Sequence, residues 1–327
     1  RLKPIGDTVL ISPVFRNLKR MYPQAKIDVV VYPFVFDLIK NNPYVDNVIV
    51  VKRDFFGRFF FYIQSLFKSY DVIIDYINNP TSAAISFLTR AKVRIGNKTK
   101  RNFFYTFKLQ DREITYSSIR CLKKLQPLGL DDFDDYYPKL YLDDKDEKAA
   151  DMFLKESNID GDIVGIFVSA KYPTRQYPAE CFAELGMRIV RETSFNVLFI
   201  FGLHDEQTLR CIKVITGKEE KIYFRQPDTT LGELAALLSK LTYLITNDTG
   251  PKHVATALQI PTLTVFGPTE ERMWNPPDLK TFPVVRKKLV CTPCNKIPCR
   301  FDTIECMKTL KPEEVFSAFL KMVDERQ

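Results

Sequence analysis

Short runs rich in β-branched residues alternate along the chain with longer runs in which apolar residues recur every three or four positions. The short runs predict strands and the longer runs predict helices. In the first half the strands are expected at 27–32, 47–52, 72–75 and 91–95, and the helices at 9–21, 34–40, 58–69 and 82–89. In the second half the strands are expected at 163–168, 196–201, 221–224, 243–247 and 262–266, with helices between them and a last helix over 312–322.

This alternation predicts an α/β fold, because parallel strands joined by helices place those helices on both faces of a sheet. Two such series predict two doubly wound, Rossmann-like domains that face a cleft. Residues 131–160 carry eleven acidic and four basic side chains, which is typical of a surface linker leading into a helix. We therefore expect domains at 1–160 and 161–327, with the last helix a candidate to pack back on the first domain.

The composition favours a globular protein of 327 residues, 45% of them hydrophobic and 27% charged. No apolar run reaches the 18 or so residues that span a bilayer, so an integral membrane protein is not expected. The seven cysteines form no pattern typical of a secreted disulfide framework. A cytoplasmic protein is therefore expected.

The net charge of +8 is concentrated in the first half of the chain. Residues 1–160 hold 26 Lys and Arg against 20 Asp and Glu, and residues 90–124 alone hold eleven basic side chains against two acidic ones. A surface of this kind attracts phosphate groups of nucleic acids, lipids or phosphorylated small molecules. The alternative is an ordinary solvated face.

The loop after the predicted strand 243–247 carries the strongest candidate chemistry. Pro251 suits the first position of a helix because it has no N–H to satisfy. The backbone N–H groups and dipole of such a helix form a site for a diphosphate. Thr249 adds a hydroxyl, His253 lies one turn further on, and Asp248 is better suited to sugar hydroxyls than to phosphate. The alternative is an Asx-turn that caps a helix and binds nothing.

Two further loops hold candidate residues. In residues 169–178, two prolines restrict the backbone, two tyrosines offer stacking surfaces, and Lys171 and Arg175 could neutralise a leaving phosphate. Near the start, a glycine turn is expected to enter the helix 9–21 and to present Asp7 as a general base. The alternatives are a solvent-exposed loop for the first and a helix-capping residue for the second.

Together these loops resemble glycosyltransferase family 9, the ADP-heptose:lipopolysaccharide heptosyltransferases. Eight segments, in the family's order, carry the resemblance over nearly the whole chain: residues 5–13, 18–28, 42–49, 75–82, 171–178, 231–238, 247–253 and 266–269. The resemblance implies the two-domain glycosyltransferase B architecture, with the acceptor bound by the N-terminal domain and the nucleotide sugar by the C-terminal one. It also implies an inverting, metal-independent transfer of heptose to the inner core of lipopolysaccharide.

The resemblance assigns roles to particular residues. Asp7 matches the position of the catalytic base, and Arg175 a basic position that faces the phosphates. The implied donor-binding residues are Ser169, Lys171, Thr174, Arg175, His204, Glu206, Thr229, Asp248, Thr249, Gly250 and His253. The implied acceptor-binding residues are Gly6, Lys52, Arg53, Asn79 and Arg101.

An acceptor made of lipid A and acidic sugars is anionic and lies in a membrane leaflet. The expected location is therefore cytoplasmic, peripheral to the inner face of the inner membrane, with residues 90–124 facing the lipid. The aromatic stretch 55–62 either adds an interfacial contact or is a core helix. Nucleic acid is not an expected partner, because no recognised nucleic-acid motif is present.

Two other motifs suggest metal ions. Cys291, Cys294, Cys299 and Cys306 have a spacing that suits tetrahedral zinc, although free or partly paired thiols are the alternative. The Asp132-Phe-Asp134 triplet looks like a metal signature of another glycosyltransferase architecture, but it does not follow a strand and is interpreted as solvated charge.

Two other functions remain open at this point. One is a family member that uses another nucleotide sugar or acceptor. The other is a catalytically silent protein that binds nucleotide sugars, against which the carboxylate of Asp7 argues. The oligomeric state and the core position that receives the sugar do not follow from the sequence.

Overall fold

The computed structural model describes residues 5–52, 54–100, 102–110, 113–203, 205–225, 230–301 and 303–326. The chain divides into two compact units, residues 1–141 and 142–327. In both units every strand pairing among the described residues is parallel. The prediction of parallel α/β structure in both halves is therefore confirmed.

The first unit contains short strands connected by helices. Its strands are β1 (Asp28–Val31), β2 (Asn47–Val50), β3 (Val72–Ile74), β4 (Val93–Asn97) and β5 (Phe107–Leu109). Its helices are α1 (Ile5–Leu10), α2 (Ser12–Met21), α3 (Phe55–Phe67), α4 (Pro80–Leu88) and α5 (Ser117–Leu122), with 3-10 helices at Pro33–Leu38, Asn102–Phe104 and Lys123–Leu128.

In the described residues these strands form two sheets, β1-β2 and β3-β4-β5. Helix α2 buries Val14 and Phe15 and carries Lys19 and Arg20 in its last turn, where cations interact favourably with the helix dipole. An apolar groove of 860 Å³ is lined by residues of β1, β3, α2 and α4.

The second unit has one larger sheet. Its strands are β6 (Ile163–Phe167), β7 (Asn196–Ile200), β8 (Ile222–Arg225), β9 (Tyr243–Asn247), β10 (Thr262–Val265) and β11 (Val284–Val285). Its helices are α6 (Asp144–Glu156), α7 (Ala179–Glu192), α8 (Glu206–Thr216), α9 (Leu231–Ser239), α10 (Gly250–Ala257), α11 (Glu271–Trp274), α12 (Glu305–Lys308) and α13 (Pro312–Asp324).

The strand order of this sheet is β11-β10-β9-β6-β7-β8. The chain adds β7 and β8 on one side of β6 and then crosses to add β9, β10 and β11 on the other. The loops after β6 and β9 therefore leave the sheet at its topological switch point, where parallel α/β sheets bind ligands. Strands β6, β7 and β9 are buried along their whole length.

The units divide earlier than the acidic linker predicts. Asp135 pairs with Arg16 of α2 (Nε to Oδ2, 2.5 Å), which joins that part of the linker to the first unit. Helix α6 packs on α9 of the second unit, and its Asp151 lies 2.6 Å from Lys240 Nζ. The acidic segment is thus divided between the two units at residue 141, and a boundary at 160 would separate α6 from α9, the helix on which it packs.

Two local predictions need correction. The last helix, α13, buries Val315, Phe316 and Phe319 in the core of the second unit, because its apolar face packs against α7, β10 and β11. Gly6 and Asp7 lie within helix α1 and do not form a turn. The helical run is interrupted at Ile11 instead, just before the second helix begins with Pro at its N-terminus.

No helix in the described ranges is long and apolar enough to cross a membrane.

Candidate active site

The side chain of Asn247 ties together the two loops at the switch point of the second unit. It is fully buried at the end of β9. Its Nδ2 donates to the carbonyl of Val168 at the end of β6 (2.9 Å), and its Oδ1 accepts from the backbone N–H of Tyr177 (3.0 Å). Both amide groups are used, so the loop 169–178 is held against the loop after β9.

A buried charge cluster follows Asn247. The side chain of Asp248 is 3% exposed and that of Lys252 only 1%, and Nζ of Lys252 lies 2.8 Å from Oδ1 of Asp248. Arg175 Nη1 lies 3.5 Å from the other oxygen, Oδ2, so one carboxylate faces two cations. Burial alone would raise the pKa of Asp248, but the charges of Lys252 and Arg175 hold it below its usual value.

The two bases of this cluster differ in exposure. Burial lowers the pKa of Lys252, while the contact with Asp248 opposes that shift. The Lys252 ammonium also lies 4.4 Å from the centre of the Phe266 ring, a cation–π contact that helps to replace its lost water. Arg175 is more exposed than Asp248 and Lys252, with 26% of its side chain accessible to solvent.

His253 is buried one turn into α10. Burial, together with the positive charges of Lys252 and Arg175, lowers its pKa to about 3, so the imidazole is neutral at physiological pH. Its ring lies against Trp274, with 6.1 Å between ring centroids. Among the described residues its Nδ1 atom has no hydrogen-bond partner.

Helix α10 begins at Gly250, with Pro251 in its first turn, which confirms the predicted helix start. Thr249 occupies the N-cap position, yet its hydroxyl makes no capping bond and lies 3.4 Å from the carbonyl of Asn247. Among the described residues, no side-chain capping bond reaches the first backbone N–H groups of α10, which leaves them available to an anion.

The loop 169–178 brings further polar groups to the same end of the sheet. Its Pro173–Arg175 segment forms a 3-10 turn that buries Thr174, while Lys171 and Tyr172 are exposed. In the described part of the chain, four buried polar atoms near this point accept or donate no hydrogen bond: Thr174 Oγ1, Arg175 Nε, Asp248 Oδ2 and His253 Nδ1. Unsatisfied polar groups clustered in this way are costly unless a ligand meets them.

Other predicted donor residues have different surroundings. Ser169 is buried, and its Oγ accepts from the backbone N–H of Gly202 (2.6 Å), which fixes the loop after β7. Glu206 is the exposed first residue of α8, on that same loop. His204 and Thr229 lie outside the described residues.

In the first unit, the predicted acceptor residues lie in separate elements. Gly6 is buried and Asp7 half-buried in α1, and Lys52 is exposed after β2. Asn79 is the N-cap of α4, where its side chain accepts from the backbone N–H of Ser82 (2.8 Å), so its amide oxygen is engaged in helix capping. Arg53 and Arg101 lie outside the described residues.

Two groups of polar residues were missed from the sequence. The sequence analysis did not single out Lys252, although its position four residues after Asp248, in the first turn of the expected helix, is the signal that could have found it. In the first unit, Asp75 is buried after β3 and accepts from Tyr105 Oη (2.6 Å), while Lys124 Nζ donates to the backbone carbonyl of Asp75 (2.6 Å).

The four cysteines near the C-terminus lie around one pocket of 490 Å³. Burial raises the pKa of Cys306 to about 11, and the negative charges of Cys291, Cys294 and Cys299 add to that shift. Within the described ranges no three His, Cys, Asp or Glu side chains already stand in an arrangement that holds a metal ion. Asp132 and Asp134 are exposed, as expected for solvated charge.

Comparison with known proteins identifies the relatives of this chain. A family model described as glycosyltransferase family 9 (heptosyltransferase) matches residues 61–305. Among curated proteins, lipopolysaccharide heptosyltransferase 3 of Escherichia coli is 25% identical over 292 residues, which is 83% of each chain.

Solved structures show the same fold over nearly the whole chain. The glycosyltransferase family 9 protein from Veillonella parvula has a TM-score of 0.84 at 20% identity, covering 99% of this chain and 96% of that one. The E. coli ADP-heptose lipopolysaccharide heptosyltransferase II has a TM-score of 0.81 at 19% identity, covering 100% and 98%.

The family match covers most of the second unit and the larger part of the first. It includes the loops at the switch point, with the cluster of Arg175, Asp248, Lys252 and His253. Both the expected fold and the expected resemblance are confirmed. The chain therefore belongs to glycosyltransferase family 9, the heptosyltransferases, and is a glycosyltransferase.

Proposed function

We propose that this protein transfers heptose from ADP-heptose to the inner core of lipopolysaccharide, with inversion at the anomeric carbon. The proposal is supported by the relatives named above, one of which is called an ADP-heptose heptosyltransferase and another a lipopolysaccharide heptosyltransferase. The observation that carries it is the partly exposed Arg175, held beside the uncapped N-terminus of α10.

The donor diphosphate would occupy the N-terminus of α10. There the first backbone N–H groups, the positive end of the helix dipole and the Arg175 guanidinium compensate its charge. Lys171 and the Thr249 hydroxyl would add contacts at the edge of this site. Asp248 carries a full negative charge and would accept hydrogen bonds from sugar hydroxyls through Oδ2.

His253 would contribute as a neutral donor or acceptor. Its low pKa means that it brings no positive charge to the diphosphate, so phosphate binding rests on Arg175 and the helix. The buried hydroxyl of Thr174 is another polar group at this site without a hydrogen-bond partner among the described residues, and it would bind the donor as well.

The reaction would be a single displacement. The acceptor hydroxyl oxygen attacks the anomeric carbon, Asp7 takes the hydroxyl proton, and the bond from the anomeric carbon to the diphosphate oxygen breaks. ADP leaves with both bonding electrons, and Arg175 and α10 stabilise the negative charge that develops on it. No step in this scheme requires a metal ion.

The acceptor would reach the first unit at a membrane surface. Residues 90–110 contain seven Lys and Arg and no acidic residue. In this segment Lys92, Lys98, Lys100 and Lys108 are exposed, and so are the side chains of Phe103 (69%) and Phe107 (42%). Exposed phenylalanines among lysines suit the interface of an anionic bilayer.

The aromatic stretch 55–62 is less informative for membrane binding. The side chains of Phe55, Phe56, Arg58, Phe59 and Phe60 lie outside the described residues. In the same helix α3, Phe67 is 85% exposed at the C-terminal end.

Two measurements test the proposed function. A thermal-shift screen of ADP, UDP, GDP and CMP sugars should give the largest stabilisation with ADP-heptose, because only a ligand that binds the folded state raises Tm. Incubation with ADP-heptose and an acceptor from a heptose-deficient strain should release ADP and add one heptose to the acceptor.

The same measurements separate the alternatives. Preference for another sugar nucleotide would indicate a different donor within the family. Stabilisation by ADP-heptose without ADP release or sugar transfer to any core acceptor would indicate a binding protein without catalytic activity.

A further inference from the structure

Four of the seven cysteines lie in one short segment, as Cys291-x2-Cys294-x4-Cys299-x6-Cys306. All four line the same pocket, and all are free thiols. Cys306 is buried, and Cys291, Cys294 and Cys299 are partly buried around the same space. Four thiols around one space, from a single segment, have the stoichiometry of a tetrahedral metal site.

The chain around these cysteines can adjust to an ion. Between β11 and α12, the described residues of 286–304 contain neither helix nor strand. The cysteines do not already stand in ligand geometry, which is common because metal sites in small loops form together with the bound ion. Sulfur ligands select zinc or iron over magnesium and calcium.

We propose that Cys291, Cys294, Cys299 and Cys306 form a tetrathiolate site for one zinc or iron ion, around which this segment closes. The thiols lose their protons as the ion binds, and each sulfur donates an electron pair to it. No oxidation is involved. The site is structural, because four protein ligands leave no open position for a substrate.

The position of the segment indicates what the ion stabilises. Asn295, next to Cys294, donates its backbone N–H to the carbonyl of Pro268 (2.8 Å), and its Oδ1 accepts from the backbone N–H of Glu270 (3.0 Å). These bonds hold the loop after β10. Gly267 of that loop packs closely against the Pro173–Arg175 turn. A Cβ added at Gly267 would lie only 2.8 Å from the carbonyl oxygen of Thr174.

The metal content of the intact protein tests the proposal. Protein purified without chelator should contain about one equivalent of zinc and iron combined by mass spectrometry. A Cys294→Ser, Cys299→Ser double variant should retain less than about a tenth of an equivalent. Cys181→Ser and Cys211→Ser remove partly buried thiols outside the segment and should leave the metal content unchanged.

A measurement on the wild type covers the case in which the double variant does not fold. Protein produced in cobalt-supplemented medium should show the intense thiolate-to-cobalt charge-transfer absorption and the visible bands of tetrahedral Co²⁺. A mercurial reagent should release the ion in step with modification of four thiols.

Three outcomes would overturn the proposal. One is folded wild-type protein with less than about a tenth of an equivalent of metal that also takes up no added Zn²⁺ or Fe²⁺ under reducing conditions. Another is a folded double variant that keeps its metal. The third is disulfide bonds among the four cysteines in protein that contains no metal.

Discussion

Lys252 Nζ, in the first turn of α10, lies 2.8 Å from Oδ1 of Asp248 just before that helix, and both side chains are almost completely excluded from water. An ion pair buried this deeply is rarely selected for stability, because desolvation of the two charges offsets much of their attraction. Here the pair orients Asp248 so that its second oxygen faces Arg175 and the atoms that lack partners. We therefore infer that the pair positions Asp248 in the proposed donor site.

The two members of the pair should differ in their effect on stability. Asp248→Asn leaves two neighbouring cations without a counter-charge and should lower the free energy of unfolding by about 3–5 kcal/mol. Lys252→Met should lower the free energy of unfolding by clearly less, because Arg175 still compensates the charge of Asp248 and Met fills a volume similar to that of Lys. Urea unfolding of both variants checks this order. Equal losses would mean that Arg175 does not compensate Asp248.

Arg175→Ala should weaken binding of ADP and of ADP-heptose alike, by about 10- to 100-fold, as expected for hydrogen bonds to a charged group worth about 1.5–3 kcal/mol. Titration calorimetry with ADP measures this. Arg188→Ala is the matched control, since Arg188 pairs with Glu192 on the surface of α7. Unchanged affinity for ADP in Arg175→Ala would show that the loop 169–178 does not contact the phosphates.

Asp7→Asn should leave ADP affinity nearly unchanged and lower turnover by about 100-fold or more, the usual effect of losing a general base. The amide has the shape of the carboxylate but cannot accept the proton of the acceptor hydroxyl. Steady-state kinetics at saturating donor and acceptor, with ADP calorimetry alongside, separates binding from catalysis. Turnover within about threefold of wild type would remove Asp7 from the role of base.

His253 should make stability fall more steeply as the solution becomes acidic. Its pKa is about 3 in the folded protein, against about 6.5 in an unfolded chain, so between these values the unfolded state binds the extra proton. The contribution of His253 to the free energy of unfolding is then fully present above about pH 6.5. It is lost as the pH falls towards 3, at up to about 1.4 kcal/mol per pH unit.

The comparison is between wild type and His253→Gln, which cannot take up that proton. Urea unfolding at about pH 7.5 and about pH 5 should show a larger loss for wild type than for the variant. His253→Asn provides a second variant if the longer amide packs badly against Trp274. Parallel pH profiles for wild type and both variants would contradict the low pKa.

Reversal of Lys98, Lys100 and Arg101 to Glu should abolish binding to anionic vesicles, and wild-type binding should fall steeply as salt rises. Turnover on a soluble, delipidated acceptor should survive this change, whereas Lys52→Ala with Arg53→Ala should reduce it. Reversal of the exposed Lys155, Lys218 and Lys308 of the second unit is the control and should not affect vesicle binding. Binding that is insensitive to salt would argue against a membrane-facing role for the basic segment.

Much of the secondary structure was predictable because its signals are local. Strand β9 was expected at the residues where it occurs, and the capping box of Thr230 and Glu233 opens α9 as its spacing indicates. Helix α10 starts where Gly250 and Pro251 allow it. Each of these features depends on neighbours within four positions, so periodicity and turn chemistry are enough to reveal them.

Burial and long-range pairing were decided only by the tertiary structure. The sequence contains Arg175 and Asp248 in two loops more than seventy residues apart, and they meet because β6 pairs directly with β9. Lys252 is buried because every face of α10 packs against protein, and Gly6 with Asp7 enters a helix and not a turn. Strand order and the packing of helix faces depend on contacts across the whole unit, and no short window of sequence encodes them.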